Sequence, residues 1–239
     1  MPKKVLVKEG ITYKGTKRYL AMLEKHDIFQ TYAIEDAVKR VREVATAKFD
    51  ETIELHYLLN IKQKHTIRDV LVMPHSVGRE KKVLVFAQGD KASEAKDAGA
   101  DFVGGEDLAE KILGGWLEFD AVIATPDMMK IVGKLGAILG RRKMMPNPKT
   151  GTVTMDITKV VKEYKAGRVE IRADKTGNIH AVIGKKSTAE QALLENALAI
   201  HKLLMKNRPT DLKGEYMASM NLAPTMGLVV PVDFKKISV

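Results

Sequence analysis

At 239 residues the chain is long enough for one large domain or two small ones, and 45% hydrophobic residues with few aromatics suit aliphatic cores. Lys and Arg number 40 against 30 Asp and Glu, and the net charge of +10 favours a nucleic acid over an acidic membrane surface, because each phosphate contact releases a condensed counterion. The lack of cysteine excludes disulfides, thiolate catalysis and cysteine zinc sites, and no apolar run approaches the roughly 18 residues of a membrane helix, so a soluble protein of a reducing cytoplasm is expected.

The stretch through Gly15 carries Lys3, Lys4, Lys8 and Lys14 without the apolar centre of a secretory signal. It predicts a frayed, solvated tail in preference to an ordered RNA contact. A helix is expected over residues 16–26 and another from Thr31, where Ile34, Val38, Val41 and Ala45 recur on one face. In AKFDETIELHYLL, Ile53, Leu55 and Tyr57 alternate with Thr52, Glu54 and His56, the period of a half-buried strand. Lys48-Phe49-Asp50 at its entry sets an aromatic beside a cation; locally, that ring reads as a core plug rather than a stacking surface.

From Lys81, KKVLVFA, DFVGG and FDAVIATPD are continuously apolar strands, separated by the helices DKASEAKDAGA and EDLAEKILGG. This alternation predicts a parallel sheet covered on both faces, doubly wound by right-handed crossovers and closed by a helix after Asp127. Beyond Asp156, ITKVVKEYKAG is a helix ended by a glycine, and RVEIRADKTGNIHAVIG a β-hairpin about a Lys-Thr-Gly turn. STAE opens a long helix with Ser187 as N-cap and Glu190 as capping-box partner. Its apolar stripe is Ala192, Leu193, Leu194, Leu198, Leu203 and Leu204. The tail supplies one or two strands about the 224–227 loop. The strand near residue 55 and those after 168 share a character that the parallel block lacks, compatible with either consecutive units or one discontinuous domain. Gly78 and Gly167 stand where paired hinges would be.

Gly133, Gly136 and Gly140 give GxxGxxxG, not GxGxxG, and follow the third strand rather than the first. They predict close helix packing, not a phosphate cradle. There is no GxxxxGK[ST], HExxH or GxSxG, and the six His form no ligand-like pair. No catalytic residue, metal site or cofactor is expected. Arg141-Arg142-Lys143 runs into Met-Pro-Asn-Pro-Lys149; it is either a solvated charge run or an ordered phosphate-binding loop, and the two prolines argue for order. Met226 in Pro-Thr-Met-Gly either fills a core gap or belongs to a loop that admits another backbone closely.

In order and spacing, the blocks TKRYL, ATAKFDETIELH, DAGADFVGGE, FDAVIATPDMM, LG…MPNPKTGTV, KAGRVE, DKTGNIHA and PTMG resemble the ribosomal protein L1 family, in its bacterial form. The resemblance implies an α/β protein of two domains. A discontinuous two-layer, split-βαβ-like domain (1–78 and 167–239) carries both termini, and a Rossmann-like three-layer domain with a parallel sheet (79–166) is inserted into it. It further implies a non-enzymatic constituent of the large ribosomal subunit, monomeric when free and cytoplasmic, forming the mobile stalk. The implied partners are large-subunit (23S-type) rRNA, exit-site tRNA and the messenger of its own operon, whose translation it represses. A non-ribosomal regulatory RNA-binding protein of the same fold is the alternative.

Carried over by motif, the RNA-binding residues are Lys48, Phe49, Thr52 and Glu54, then Asp174, Lys175 and Thr176, then Ser219, Thr225, Met226 and Gly227. This turns Phe49 from core plug to surface. Lysines would meet phosphates, while Glu54 and Asp174 would accept from 2′-OH or base groups. Arg141, Arg142, Lys143 and Lys149 form a candidate secondary basic loop. Family members commonly read GPRG where this chain reads GRRK, so Arg141 replaces a proline and Lys143 a glycine.

Overall fold

The computed structural model describes residues 4–8, 11–62, 65–78 and 80–237. The chain opens with an antiparallel hairpin, β1 (Lys4–Lys8) and β2 (Ile11–Gly15), not a frayed tail. Val5, Val7, Ile11, Thr12 and Tyr13 are strand formers whose propensity outweighs the charge count. α1 (Lys17–Lys25) is N-capped by Thr16, whose hydroxyl accepts from the Tyr19 N–H. α2 (Ile34–Val44) starts at Ile34 rather than Thr31, because Tyr32 bridges to Val232 instead. β3 (Thr52–Leu59) alternates as expected, with Ile53, Leu55, Tyr57 and Leu59 buried. β4 (Arg68–Val72) is a strand that hydropathy does not mark.

β5 (Val83–Phe86), α3 (Asp90–Asp97), β6 (Phe102–Gly104), α4 (Glu106–Leu113) and β7 (Ala121–Ala124) then alternate. The strands form a parallel sheet of order β6-β5-β7. Both faces are covered. Leu84, Phe86 and Val122 pack with Ile112, Leu135 and Leu139 on one face, and Val83, Val85 and Ile123 with Ile157 and Val161 on the other. The single helix expected after Asp127 is two short ones, α5 (Met129–Lys134) and α6 (Gly136–Arg141), split at Leu135 between two helix-weakening glycines.

α7 (Ile157–Ala166) ends at Gly167 as expected. β8 (Arg168–Arg172) pairs with β4, whereas β9 (Asn178–Lys185) pairs with β3. The expected hairpin between β8 and β9 is thereby reduced to one bridge, Ala173 to Ile179. α8 (Glu190–Lys206) has Ala189 at its N-cap, not Ser187, whose hydroxyl donates to Asp50 instead. Its buried apolar stripe is Leu193, Ala197, Ile200 and Leu204, interrupted by Asn196 and His201; Ala192, Leu194, Leu198 and Leu203 are half-buried. β10 (Met217–Pro224) and β11 (Val230–Val232) complete an antiparallel sheet of order β11-β10-β3-β9.

The chain divides into two compact units, Met1–Ile67 with Ile171–Val239, and Arg68–Glu170. The division falls at 67/68 and 170/171 rather than at 78/79 and 166/167. β4 and the start of β8, which pair with each other, lie on the inserted side, with an Arg68–Glu170 ion pair of 2.7 Å between them. Gly78 and Gly167 both lie within the inserted unit, so neither stands at the division. In the terminal unit, α2 and α8 cover one face of the four-stranded sheet. Its other face carries Thr52, Glu54, His56 and Leu58, half-buried or exposed.

Candidate nucleic-acid interface

Two loops of the terminal unit close on one another through Glu51. This residue has the parity of Ile53, Leu55 and Tyr57 and is fully buried. Its Oε1 accepts the Ala47 N–H at 2.6 Å and its Oε2 the Met226 N–H at 2.8 Å. One carboxylate thus ties the loop entering β3 to the loop leaving β10. Thr52 and Thr225 lock the same pair: the Thr225 N–H donates to Thr52 O at 3.0 Å, and the Thr52 N–H to Thr225 Oγ1 at 3.1 Å. From α1, Arg18 donates to Met226 O at 2.8 Å. Gly227 passes so close to Val44 that an added Cβ would sit 2.7 Å from its carbonyl oxygen and overlap Pro224.

Lys48, Phe49, Thr52, Thr225, Met226 and Gly227 therefore form one patch. Phe49 and Met226 are each 53% exposed, so neither fills a core gap. Behind the patch, Asp50 accepts the Ser187 N–H at 3.0 Å and its hydroxyl at 2.7 Å. The Ser187 hydroxyl bond, with Lys185 and Lys186 nearby, holds that carboxyl below the usual range. Lys186 donates from its Nζ to Ala45 O, and Arg42 donates to Lys186 O at 3.2 Å and to Glu190 at 2.7 Å.

Asp174, Lys175, Thr176 and Ser219 lie at the other end of β3. The Leu59 N–H donates to Gly177 O at 2.9 Å, and Ser219 pairs with Leu58. At ~3.3 Å per residue, the strand sets this end roughly 23 Å from Thr52. Here the Asp174 carboxylate is consumed within its own turn. Its Oδ1 accepts from the Asn178 N–H (2.7 Å), the Thr176 hydroxyl (2.8 Å) and the Thr176 N–H (2.9 Å), and Oδ2 accepts from the Asn178 amide at 3.1 Å. The Asn178 bonds, then those of Thr176, lower its pKa to about 2. Gly177 sits at φ +90°, where an added Cβ would overlap Leu59 O. Lys175 is exposed and has no ion pair among the described residues.

Between the two ends, the open sheet face presents Glu54, His56, His180 and Asn221. Cross-strand pairing places His56 beside His180, Nδ1 to Nδ1 2.7 Å, and Glu54 Oε2 lies 3.7 Å from His56 Nε2. Burial, with the neighbouring His180, lowers the His56 pKa.

The basic loop belongs to the inserted unit. Arg141, Arg142, Lys143 and Lys149 are exposed. Lys143 adopts φ +59°, the sole non-glycine at positive φ among the described residues. Its N–H donates to Gly140 O at 3.1 Å, and the Met144 N–H to Leu139 O at 3.0 Å. This is the helix-ending motif whose left-handed position glycine usually fills. The following Pro-Asn-Pro-Lys-Thr-Gly stretch is ordered by Asn147, Thr150 and Thr152, and by Arg168, which donates to Thr150 O and pairs with Glu163 at 2.7 Å. Among the described residues no cluster of His, Asp and Glu could hold a metal ion, and no helix is long and apolar enough to cross a membrane.

Sequence reasoning missed Glu51, Asp50, Asn178 and Arg168. For Glu51 a signal existed: an acid on the buried parity of a strand pattern requires partners to offset desolvation. Asp50 finds its partner, Ser187, at long sequence separation, which no local pattern shows.

Residues 41–228 match the model of the ribosomal protein L1p/L10e family. The large ribosomal subunit protein uL1 of Streptococcus pyogenes serotype M3 (strain SSI-1) is 52% identical over 223 residues, 92% of this chain and 97% of that protein. The same protein from S. pyogenes serotype M5 (strain Manfredo) and from serotype M1 also matches at 52% over the same share of each chain.

Proposed function

The chain belongs to the ribosomal protein L1p/L10e family, and on that premise we propose that it is a constituent of the large ribosomal subunit that binds large-subunit rRNA directly through its terminal unit. The observation that carries this reading is the Glu51 bridge. It holds an exposed aromatic, an exposed methionine and a lysine on two loops in one arrangement before any ligand arrives. Loops ordered in advance lose less entropy on binding, so more of the contact energy becomes affinity.

On this surface Phe49 offers a ring to an unstacked base, and Met226 with Gly227 lets the backbone approach closely. Lys48 and Lys175 meet phosphates at the two ends of β3, and Glu54 accepts from a 2′-OH or base amino group. Asp174 acts by shaping its turn, so that Lys175 and Thr176 present outward. The same reading makes the protein the mobile stalk linked to movement and release of exit-site tRNA, and a repressor of its own operon's messenger. It has no enzymatic role and needs no cofactor.

Sedimentation of tagged full-length protein tests the assignment. Co-migration with large subunits is expected; recovery only in light fractions would overturn it and favour a regulatory RNA-binding protein that does not reside on ribosomes. Affinities for ribosomal RNA and for the chain's own messenger leader, measured side by side, decide whether repression accompanies the ribosomal role.

A further inference from the structure

We propose that the terminal unit carries a second RNA subsite, between α1 and α2, which holds one ribose–phosphate unit of the strand lying on the 224–227 loop. This rests on the RNA-binding reading above. The cavity there measures about 200 Å³. That is the space of roughly six or seven waters at ~30 Å³ each, and smaller than the ~300 Å³ at which drug-sized pockets begin. It suits a sugar–phosphate rather than a whole nucleotide. Its charged lining is mainly cationic, with Arg18 and Lys25 from α1 and Arg40 from α2 against the single carboxylate of Glu43. Arg18 also donates to Met226 O at 2.8 Å, so one side chain of the cavity wall touches the loop patch.

His26 lines the same cavity and is 2% exposed. Its Nε2 lies 2.9 Å from Val229 O, which can only accept, so Nε2 carries the proton. In the neutral ring Nδ1 is then an acceptor, and it is buried with no hydrogen-bond partner in the protein. Buried polar atoms are nearly always matched, and a hydroxyl reaching this atom from the cavity would match it. The ring cannot easily swing away to find one. It stacks on Tyr32 at 5.7 Å, and the Arg40 guanidinium lies 4.4 Å from the Tyr32 ring centre. Three cations beside one buried acceptor fit a phosphate joined to a hydroxyl donor. A ribose 2′-OH with its adjacent phosphate is that combination, and DNA lacks the hydroxyl. A free nucleotide offers the same chemistry, so the test separates the two.

The test uses the full chain and the fragment of large-subunit rRNA that it protects from nuclease. Lys25→Gln, at an exposed helix position, is expected to weaken binding roughly five- to tenfold and to flatten the slope of log K on log salt by about one. In a 2′-deoxy scan of the fragment, one position should weaken wild-type binding by roughly five- to tenfold and have no further effect in His26→Leu. Unchanged affinity and slope in Lys25→Gln, while Thr225→Ala weakens binding, overturns the subsite and leaves the RNA reading standing. No binding of the RNA by wild type overturns both. If His26→Leu fails to fold, Lys25→Gln still decides. Tight binding of 5′-adenosine monophosphate, lost in Lys25→Gln with RNA affinity unchanged, assigns the cavity to a free nucleotide and overturns the strand assignment.

Discussion

Glu51→Gln keeps the side-chain volume but replaces one carboxylate oxygen by an amide NH2. In the native arrangement both oxygens accept backbone N–H groups, from Ala47 at 2.6 Å and Met226 at 2.8 Å, at a site with no solvent exposure. Whichever way the new amide turns, one of these bonds becomes donor against donor. A hydrogen bond to a charged group contributes about 1.5–3 kcal/mol, and a buried unmatched N–H costs a similar amount, so a loss of roughly 1.5–3 kcal/mol is expected at the loops. Amide hydrogen exchange reads this locally: protection of Ala47 or Met226 should fall roughly ten- to hundredfold, since ~1.4 kcal/mol is a factor of ten. RNA affinity should fall at least tenfold on the same scale, because the patch is no longer ordered before binding. Asp50→Asn is the comparison, an exposed carboxylate behind the patch whose loss should affect affinity far less. Wild-type exchange at both amides would refute the bridging role of Glu51. Lost protection with wild-type RNA affinity would refute the link between loop order and binding.

Thr225→Ala and Met226→Ala should each weaken binding to ribosomal RNA by roughly 1–3 kcal/mol with the fold intact; unchanged affinity in both removes this loop from the interface. Lys143→Gly should stabilise the inserted unit by roughly 0.5–1 kcal/mol, as relief of a left-handed side chain (~1–2 kcal/mol) exceeds glycine's entropic cost. Lys143→Ala keeps the Cβ and should gain nothing, so equal gains in urea unfolding would point to charge instead. The Asp174 carboxyl, followed by NMR, should titrate near 2 rather than 3.8, with the Thr176 and Asn178 amides moving together. Its folded pKa is depressed, so the contribution is present above the unfolded value and is lost as pH falls from about 4 through about 2. Stable amide shifts through that window would refute the turn assignment.

Where one rule acted alone, the fold was legible. The period of two in β3 and the continuous apolar strands β5 and β7 needed only burial of an apolar face. Competition between rules caused the departures. Tyr32 left the α2 pattern for a bridge with Val232, and Ser187 left the helix cap for Asp50. Ala173 closed only one bridge to Ile179 because β8 had β4 to pair with. Each of these partners lies far along the chain, so local spacing holds no record of the choice. For the candidate site, the motifs named residues at both ends of β3, while Glu51, which brings Met226 to Ala47, was not among them.

The carboxylates around this surface explain how a basic face can contain so many acids. Asp50 accepts from Ser187, Glu51 from Ala47 and Met226, and Asp174 from Thr176 and Asn178. Each is an acceptor for groups that would otherwise leave a loop unfixed. Placed this way, their negative charge is answered mainly by hydrogen bonds within the protein, with Lys185 and Lys186 beside Asp50, and not by Lys48 or Lys175. Lys48 and Lys175 accordingly have no ion pair among the described residues. A lysine already paired must break that pair to reach a phosphate and returns little net energy, whereas an unpaired one contributes its full counterion release. On the RNA-binding reading proposed above, the acids supply shape and the lysines supply field. Exchanging Glu51 or Asp174 for a cation would raise the charge of the face and still weaken binding, because the loops that present the charge would no longer be held.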